Sequence, residues 1–407
     1  MSDPIPSALP DSPSYPPGLR EFALTLETAW GDRLRLPREI FGLDGMPLSA
    51  DGQVREEIVV DAPFGRLLRF GGGGNERGRV LLAAPMAGHG SAQLREMVAD
   101  LLPQFDVYVT DWRDARDVPL AEGGFGLDDH IDYLLRFCAE VGPGAHLIAV
   151  CQSCVPSLAA ASLMAEDGHP ARPRSLTLIA GPVDAAVNPG AVNRFATGAP
   201  LSWFEQQLIS IVPDHAPGAG RRVYGGAMQP ITAAAMEHQR CMASLWSSLF
   251  DPSEYWQALL GFGNALSFQQ PVLDLAAELY LDNLREVFQH CALARGSMRH
   301  RDRPVRPQAI RDTLLLTVEG ELDEICGPGQ TAAAHRLCSG IGDAGKRHLA
   351  ATGARHRDVF AGDCWRLQVL PEVLATLNAG AGKRNSASCK GVTASGGPDR
   401  RNASRLR

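Results

Sequence analysis

Residues 145–156 read AHLIAVCQSCVP, an apolar run that ends in a cysteine set between small residues. The branched apolar residues at 146–150 predict a buried strand, and the run from Ser157 to Met164 predicts a helix directly after it. Cys151 lies at the junction, with Ala149 and Ser153 two places to either side. This layout is typical of a nucleophile elbow, whose tight turn needs small neighbours. The first helical N–H groups then face the cysteine and favour a thiolate.

Two other interpretations of the same stretch stay open at the level of sequence. Cys151 and Cys154 form a C-x-x-C pair, which at a strand-to-helix junction is also typical of a thioredoxin-like redox site. A buried cysteine with a purely structural role is common as well.

The composition bounds the class of protein. The chain has 407 residues, 45% of them hydrophobic and 21% charged, enough for one large domain or a domain with an insertion. It has no apolar run near the roughly 20 residues of a membrane span and its start does not resemble a signal peptide, so we expect a cytoplasmic protein with no transmembrane segment. Nine scattered cysteines predict reduced thiols, and the net charge of -7 argues against nucleic acid as a partner.

Strand and helix patterns alternate from residue 79 onward. Strands are predicted at 80–85, 106–112 and 146–150, with helices at 91–103 and 128–140 between them, which indicates βαβ units in a mainly parallel sheet flanked by helices. A hairpin is predicted over 54–71. The glycine run at 71–74 lacks the Gly-Lys-Ser/Thr ending of a phosphate loop, so we expect no nucleotide there.

The alternation stops after a strand at 175–180 and resumes near 313, which predicts an α/β core with an insertion. The tail has seven Lys and Arg against one acid, Asp399, so it is either a plain solvated tail or one that touches an anionic surface. The predicted organisation is a flexible arm at 1–18, a first core segment at 19–184, a mostly helical lid insertion at 185–307, a second core segment at 308–379 and a disordered basic tail at 380–407.

Ligands of such sheets bind beyond the carboxyl ends of the strands. The small-residue turn 84–90 follows one strand, and it either is an ordinary βα turn or supplies the second backbone N–H of an oxyanion hole. We therefore predict the backbone N–H groups of Met86 and Gln152 as the oxyanion donors.

The acid and the base of a triad are predicted farther along the chain. Asp323 follows the strand near 313–320, where a carboxylate can reach a histidine and fix its tautomer, whereas Glu319 and Glu321 are expected to make structural contacts. His356 lies in a turn before the closing helix, and His89 is its main rival because its turn faces the same site.

Aromatic residues are concentrated in the insertion. Those predicted to contact an apolar substrate are Trp203, Phe204, Trp246 and Trp256. The alternative is that these rings form the core of the insertion itself.

Several motifs together resemble the intracellular poly(3-hydroxybutyrate) depolymerases of bacteria, over about residues 54–377. The segments that carry the resemblance are APMAGH at 84–89, DVYVTDW at 106–112 with DAR at 114–116, VCQ at 150–152, GPVD at 181–184 with NP at 188–189, GRRVY at 220–224 and TVEGE at 317–321. The resemblance implies an α/β-hydrolase fold, action on amorphous polyester at storage granules inside cells, and a triad of Cys151, Asp323 and His356.

The chain departs from the family pattern at two places. Ser153 stands where the family usually has proline, and Arg355 and Arg357 flank His356 where small and aromatic residues are usual. Two cations pointing inward would lower the pKa of His356.

The predicted reaction is ester hydrolysis through a thioester, with no metal and no organic cofactor. One alternative is a related cysteine acyltransferase, similar to polyhydroxyalkanoate synthase, which differs only in the acyl acceptor. Another is a granule-binding protein whose catalytic site has decayed. The sequence does not distinguish water from another acceptor.

Overall fold

The computed structural model describes residues 43, 47–48, 52–71, 77–87, 90–226, 228–229 and 272–382. The predicted arm at 1–18, His89, Trp246, Trp256 and the tail beyond residue 382 lie outside the described residues, as does most of the glycine run at 71–74.

Fifteen strands occur in the described part of the chain. They are β1 (Pro47–Leu48), β2 (Gly52–Gln53), β3 (Arg55–Ala62), β4 (Gly65–Gly71), β5 (Gly78–Ala83), β6 (Phe105–Trp112), β7 (His146–Val150), β8 (Ser175–Ile179), β9 (Ile209–Ile211), β10 (Arg222–Tyr224), β11 (Leu275–Ala276), β12 (Arg299–His300), β13 (Arg303–Pro304), β14 (Leu314–Gly320) and β15 (Lys346–Ala351).

Eight of these strands form one central sheet in the order β15-β14-β8-β7-β5-β6-β4-β3. The pairings from β6 through β15 are parallel, whereas β4 is antiparallel to both β3 and β6. The β3–β4 pair is the hairpin predicted over 54–71. A mainly parallel sheet with one antiparallel strand near its edge confirms the predicted α/β-hydrolase fold.

The helices are short except for three of 13 to 15 residues. They are α1 (Arg95–Leu101), α2 (Leu127–Val141), α3 (Cys154–Glu166), α4 (Ala191–Thr197), α5 (Leu201–Leu208), α6 (Ala277–Asp282), α7 (Ala334–Leu337), α8 (Gly362–Cys364) and α9 (Leu370–Gly382), with π-helical turns at Asn283–Gln289 and Trp365–Val369 and 3₁₀ turns at Gly90–Leu94, Ala115–Asp117, Leu120–Glu122, Cys151–Ser153, Pro307–Ala309 and Asp343–Gly345.

Helix α3 is the helix predicted after the cysteine, and it packs against α2 and against strands β7 and β8. Its residues from Cys154 to Met164 are all buried. A helix that is apolar on every side must be enclosed, so α3 belongs to the centre of the domain. This burial fixes the axis along which the elbow leaves the sheet.

The register of the sheet brings four strand ends together. Ala83 pairs with Ala149 and Val150 pairs with Ile179, while Val318 of β14 pairs with the same Ile179. The loops after β5, β7, β8 and β14 therefore leave the same edge side by side. Because residue 351 ends β15 beside β14, the loop that holds His356 leaves that edge as well.

The described part of the predicted insertion combines helices with short strands. Helices α5 and α6 pack against a three-stranded antiparallel sheet in the order β11-β10-β9. The π-helical turn Asn283–Gln289 continues α6, and it packs against α4.

Candidate active site

Cys151 occupies a sharp turn between β7 and α3. Its φ angle is +54°, in the left-handed region that residues with a side chain rarely adopt. Such strain at a strand-to-helix junction is the conformation of a nucleophile elbow. Ser153, two places on, is fully buried and donates a hydrogen bond to the carbonyl of Ala84, so its hydroxyl joins the elbow to the turn after β5.

The elbow is also closed by the loop that follows β8. A Cβ atom on Gly181 would lie 2.2 Å from Cβ of Cys154 and 3.0 Å from the carbonyl oxygen of Cys151. Real Cβ atoms do not approach other atoms so closely. Gly181 therefore permits the loop to lie directly against the turn that carries Cys151.

His356 and Asp323 form a buried hydrogen-bonded pair. His356 Nδ1 lies 2.8 Å from Oδ2 and 3.0 Å from Oδ1 of Asp323. Oδ1 also accepts hydrogen bonds from the backbone N–H groups of Ile325 and Cys326, at 2.9 and 2.8 Å. The carboxylate is thus fixed by its own loop while it fixes the ring, which leaves the other ring nitrogen free to serve Cys151.

The surroundings of His356 favour its protonated form. Burial opposes protonation, but the negative charge of Cys151 and hydrogen bonds to Asp323 and Cys151 outweigh it and raise the pKa of His356 to about 10. Arg355 and Arg357 are both exposed, so the inward cations that would lower this pKa are not present at the ring. The structure therefore places all three predicted triad residues at one site.

Glu319 holds the loop that carries Asp323, a contact that the sequence indicated only in general terms. The buried Glu319 carboxylate accepts hydrogen bonds from the backbone N–H groups of Gly329, Thr331 and Ala332, at 2.7 to 2.8 Å. The Thr331 hydroxyl in turn bonds to the backbone of Gly181 beside the elbow. One buried carboxylate thereby links the acid loop to the nucleophile turn.

The residues predicted as oxyanion donors, Met86 and Gln152, lie close together, but the N–H of Met86 is already hydrogen-bonded to the side chain of Gln152. The backbone N–H of Met86 donates to Oε1 of Gln152 at 3.2 Å, and the N–H of Ala87 donates to the same oxygen at 3.1 Å. The side chain of Gln152 thus joins the turn after β5 to the elbow. Sequence reasoning considered only the backbone of this residue.

A cavity of about 210 Å³ opens beside Cys151. Its wall is almost entirely apolar, and the lining residues with polar side-chain groups include Gln152, Asn283, Tyr224 and Tyr280. The lining residues are Ala87, Cys151, Gln152, Ala180, Pro182, Val192, Phe195, Ala196, Tyr224, Leu275, Tyr280, Asn283, Leu284, Val287, Phe288, Ile325 and Cys326. Such a wall suits an uncharged, largely aliphatic ligand.

Two of the four aromatic residues predicted to contact the substrate, Trp203 and Phe204, lie in the described part of the chain. Phe204 is completely buried, and its ring packs edge-on against Phe195 and Trp203 at 5.2 and 5.1 Å between centroids. Phe195 lines the cavity, whereas Phe204 and Trp203 lie outside its lining. Phe204 therefore supports the wall from behind, and Trp203 packs against Phe204. Composition alone does not reveal which ring of such a cluster faces the ligand.

The second cysteine of the C-x-x-C pair is oriented into the core. Cys154 is fully buried, and its Sγ lies 3.3 Å from the carbonyl oxygen of Ala149 and 3.5 Å from that of Ile179. Burial raises the pKa of its thiol well above the usual value. A thiol in this state is a poor partner for thiol–disulfide exchange, which favours the elbow over the redox interpretation. All seven described cysteines are free thiols.

Neither a metal cluster nor a membrane span was found in the residues that the structure describes. No group of three or more His, Cys, Asp or Glu side chains in these ranges is arranged to hold a metal ion. No helix among the same residues is both long and apolar enough to cross a bilayer.

Solved structures similar to this chain include hydrolases of low sequence identity. A membrane phospholipase A described as a bacterial virulence factor shares 15% identity, with 90% of this chain and 94% of that chain covered and a TM-score of 0.45. The monoacylglycerol lipase of Paleococcus ferrophilus shares 14% identity, with 77% and 98% covered and a TM-score of 0.43. A comparison with curated proteins gave no significant match.

A family model described as the C-terminus of PHB (polyhydroxybutyrate) depolymerase matches residues 180–380. The matched range includes Asp323 and His356, while Cys151 precedes it. The fold of the described residues follows from their sheet order, in which the elbow joins this range at one sheet edge. The chain therefore has an α/β-hydrolase fold, and its residues 180–380 are similar to the C-terminus of PHB depolymerases.

Proposed function

We propose that this protein hydrolyses the ester bonds of amorphous poly(3-hydroxybutyrate) at storage granules, with Cys151 as nucleophile, His356 as acid and base, and Asp323 as the residue that orients His356. The observation that carries the proposal is the strained Cys151 turn beside the His356–Asp323 pair at the mouth of an apolar cavity. The family match over residues 180–380 supports an ester hydrolase and the polyester as its substrate class.

In the first half of the reaction, the sulfur of Cys151 attacks the carbonyl carbon of an ester in the polymer. A C–S bond forms and the carbonyl oxygen takes up the negative charge, which backbone N–H groups stabilise. When the carbonyl reforms, the C–O bond of the ester breaks. His356 gives its proton to the departing oxygen, so the shortened chain leaves with a hydroxyl end.

In the second half, water hydrolyses the thioester. His356, now neutral, takes a proton from the water as its oxygen attacks the thioester carbon. The C–S bond breaks, a carboxylic acid is released, and the proton held on His356 restores the starting pair with Cys151. Asp323 keeps the ring in one tautomer throughout, because Nδ1 stays bonded to its carboxylate.

The cavity supports an uncharged polyester as substrate. A 3-hydroxybutyrate unit has no charge within the chain, and its methyl group and methylene suit walls such as Phe195, Val287 and Phe288. A volume of about 210 Å³ accommodates a short segment rather than a bulky fold of the polymer. The proposed partner is therefore a single mobile polyester chain at the granule surface.

The test is release of acid from isolated native granules. Cys151→Ala should reduce the rate by at least about a thousandfold, because the nucleophile is lost. Cys364→Ala is the matched control, since this cysteine is partly exposed and lies outside the lining of the cavity. Equal rates in wild type and Cys151→Ala would contradict the proposal. Growth of polymer from 3-hydroxybutyryl-CoA, without acid release, would identify an acyltransferase instead.

A further inference from the structure

The side chain of Gln152 occupies a position with a specific chemistry. Two successive backbone N–H groups, those of Met86 and Ala87, converge on its Oε1 atom at 3.2 and 3.1 Å. Gln152 is the residue after the nucleophile, and it lines the cavity together with Cys151 and Ala87. Two N–H donors aimed at one oxygen next to a nucleophile form the geometry of an oxyanion hole.

An oxyanion hole whose donors are already bonded cannot serve a substrate without an exchange. Each backbone N–H has one hydrogen to donate, so the substrate oxygen must replace Oε1 to receive both. Gln152 has a flexible side chain and is only partly buried, so its carboxamide has room to turn away. The exchange then conserves the number of hydrogen bonds.

We propose that the carboxamide of Gln152 is a resident occupant of the oxyanion site, which the carbonyl oxygen of the substrate displaces as negative charge develops on it. This inference rests on the proposed function of Cys151. An amide oxygen is a better acceptor than a neutral ester carbonyl, so the ester in its ground state does not displace it. A charged oxyanion makes hydrogen bonds roughly twice as strong and does displace it. This exchange therefore makes the site bind the transition state more tightly than the ester in its ground state.

A purely structural role, as a tether of the turn after β5, is the competing explanation. This turn is held by other contacts at both ends. The N–H of Ala84 donates to Oγ1 of Thr110 at 2.9 Å, and the indole of Trp112 donates to the carbonyl of Ala84 at 2.8 Å. At the far end, Nε2 of Gln93 donates to the carbonyl of Ala87 at 3.2 Å. These contacts fix the backbone of the turn without Gln152, so the hydrogen bonds to the Gln152 oxygen are not needed to hold the turn in place.

The test compares the substitutions Gln152→Met and Gln152→Glu with wild type. Methionine keeps the length of the side chain but is a weak acceptor, while glutamate places a charged acceptor on the same two N–H groups. The control is Gln207→Met, the same substitution at an exposed glutamine of α5 that lies outside the lining of the cavity. The probe is butyraldehyde, whose hemithioacetal with Cys151 places an oxygen where the oxyanion forms. Its dissociation constant is measured by calorimetry, separately from polymer hydrolysis.

We expect Gln152→Met to bind the aldehyde about five- to twentyfold more tightly than wild type. We expect Gln152→Glu to bind it at least about tenfold more weakly, with the loss reduced at low pH, where the new carboxyl is neutral. Gln207→Met should leave the dissociation constant within about twofold of wild type. Unchanged or weaker binding by Gln152→Met would overturn the inference, whatever the polymer assay gives. Tighter binding by Gln152→Met in a protein that leaves the polymer intact would support the inference and refute the proposed substrate.

Discussion

The Nδ1 atom of His356 lies 2.8 Å from Oδ2 of Asp323, although the two residues leave different strands of the sheet. The carboxylate reaches the ring because β14 and β15 are parallel neighbours that end at the same edge. Its Oδ1 atom is anchored by two backbone N–H groups of its own loop, so the pair is held on both sides. This is the relationship by which a carboxylate sets the tautomer of a catalytic histidine.

The substitution Asp323→Asn should lower kcat by three to four orders of magnitude, roughly as in other triads. The amide can donate a hydrogen to Nδ1, which turns the ring to the wrong tautomer and removes support for its cationic form. Glu321→Gln is the matched control, because that carboxylate is exposed and accepts one hydrogen bond, from the N–H of Gly353. The measurement is turnover of a soluble ester. A loss below tenfold for Asp323→Asn would contradict the assignment.

The protonation of His356 should depend on Cys151. Burial lowers the pKa of His356, and the charge and hydrogen bond of Cys151, with the contacts of Asp323, raise it to about 10. In Cys151→Ala the burial and Asp323 remain but the contribution of Cys151 is gone, so the pKa of His356 should fall. The measurement is an NMR titration of the His356 ring in both proteins. An equal or higher pKa in Cys151→Ala would show that the two side chains do not interact.

The same pKa gives an expected limit to activity at high pH. His356 must carry a proton to give it to the departing oxygen, so kcat/KM should decline as the pH rises through about 10 in wild type. Plain alkaline unfolding would mimic this decline. A far-UV circular dichroism spectrum that stays constant over the same range separates the two.

The substitution Gly181→Ala should disturb the elbow through contact alone. The added methyl would lie 2.2 Å from Cβ of Cys154 and 3.0 Å from the carbonyl oxygen of Cys151, so the backbone must move. We expect a loss of about 1–3 kcal/mol in the free energy of unfolding, together with lower kcat. Gly342→Ala is the control, because a Cβ there meets nothing within 4 Å. Urea unfolding of both variants measures the free energy, and turnover of a soluble ester measures kcat. A stability change within about 0.5 kcal/mol for Gly181→Ala would refute the contact.

The parts of the site that the sequence predicted are those with a local pattern. The elbow was recognisable because a tight turn needs small residues at 149 and 153, and Asp323 and His356 because each lies in the turn that follows a strand. The contact of Glu319 with three N–H groups, and that of Gln152 with the turn after β5, depend on which loops the register brings together. The same limit applies to aromatic rings: Phe195 and Phe204 are indistinguishable in composition, and only packing decides which one faces the cavity.

The physical state of the polymer should control the rate. Cys151 is partly buried at a cavity of about 210 Å³, which is bounded by rings such as Phe195, Tyr280 and Phe288. An ester must therefore reach Cys151 as part of a single polymer chain that enters the cavity. A polymer chain in an amorphous phase bends into the cavity at a modest entropic cost, whereas a chain in crystalline polymer must first leave the polymer crystal. We therefore expect rapid acid release from native granules and little from solvent-precipitated, crystallised polymer of equal surface area. A soluble butyrate ester, assayed in parallel, verifies that equal amounts of active enzyme are present. Comparable rates of acid release from both polymers, at equal surface area, would show that the polymer chain does not have to enter the cavity.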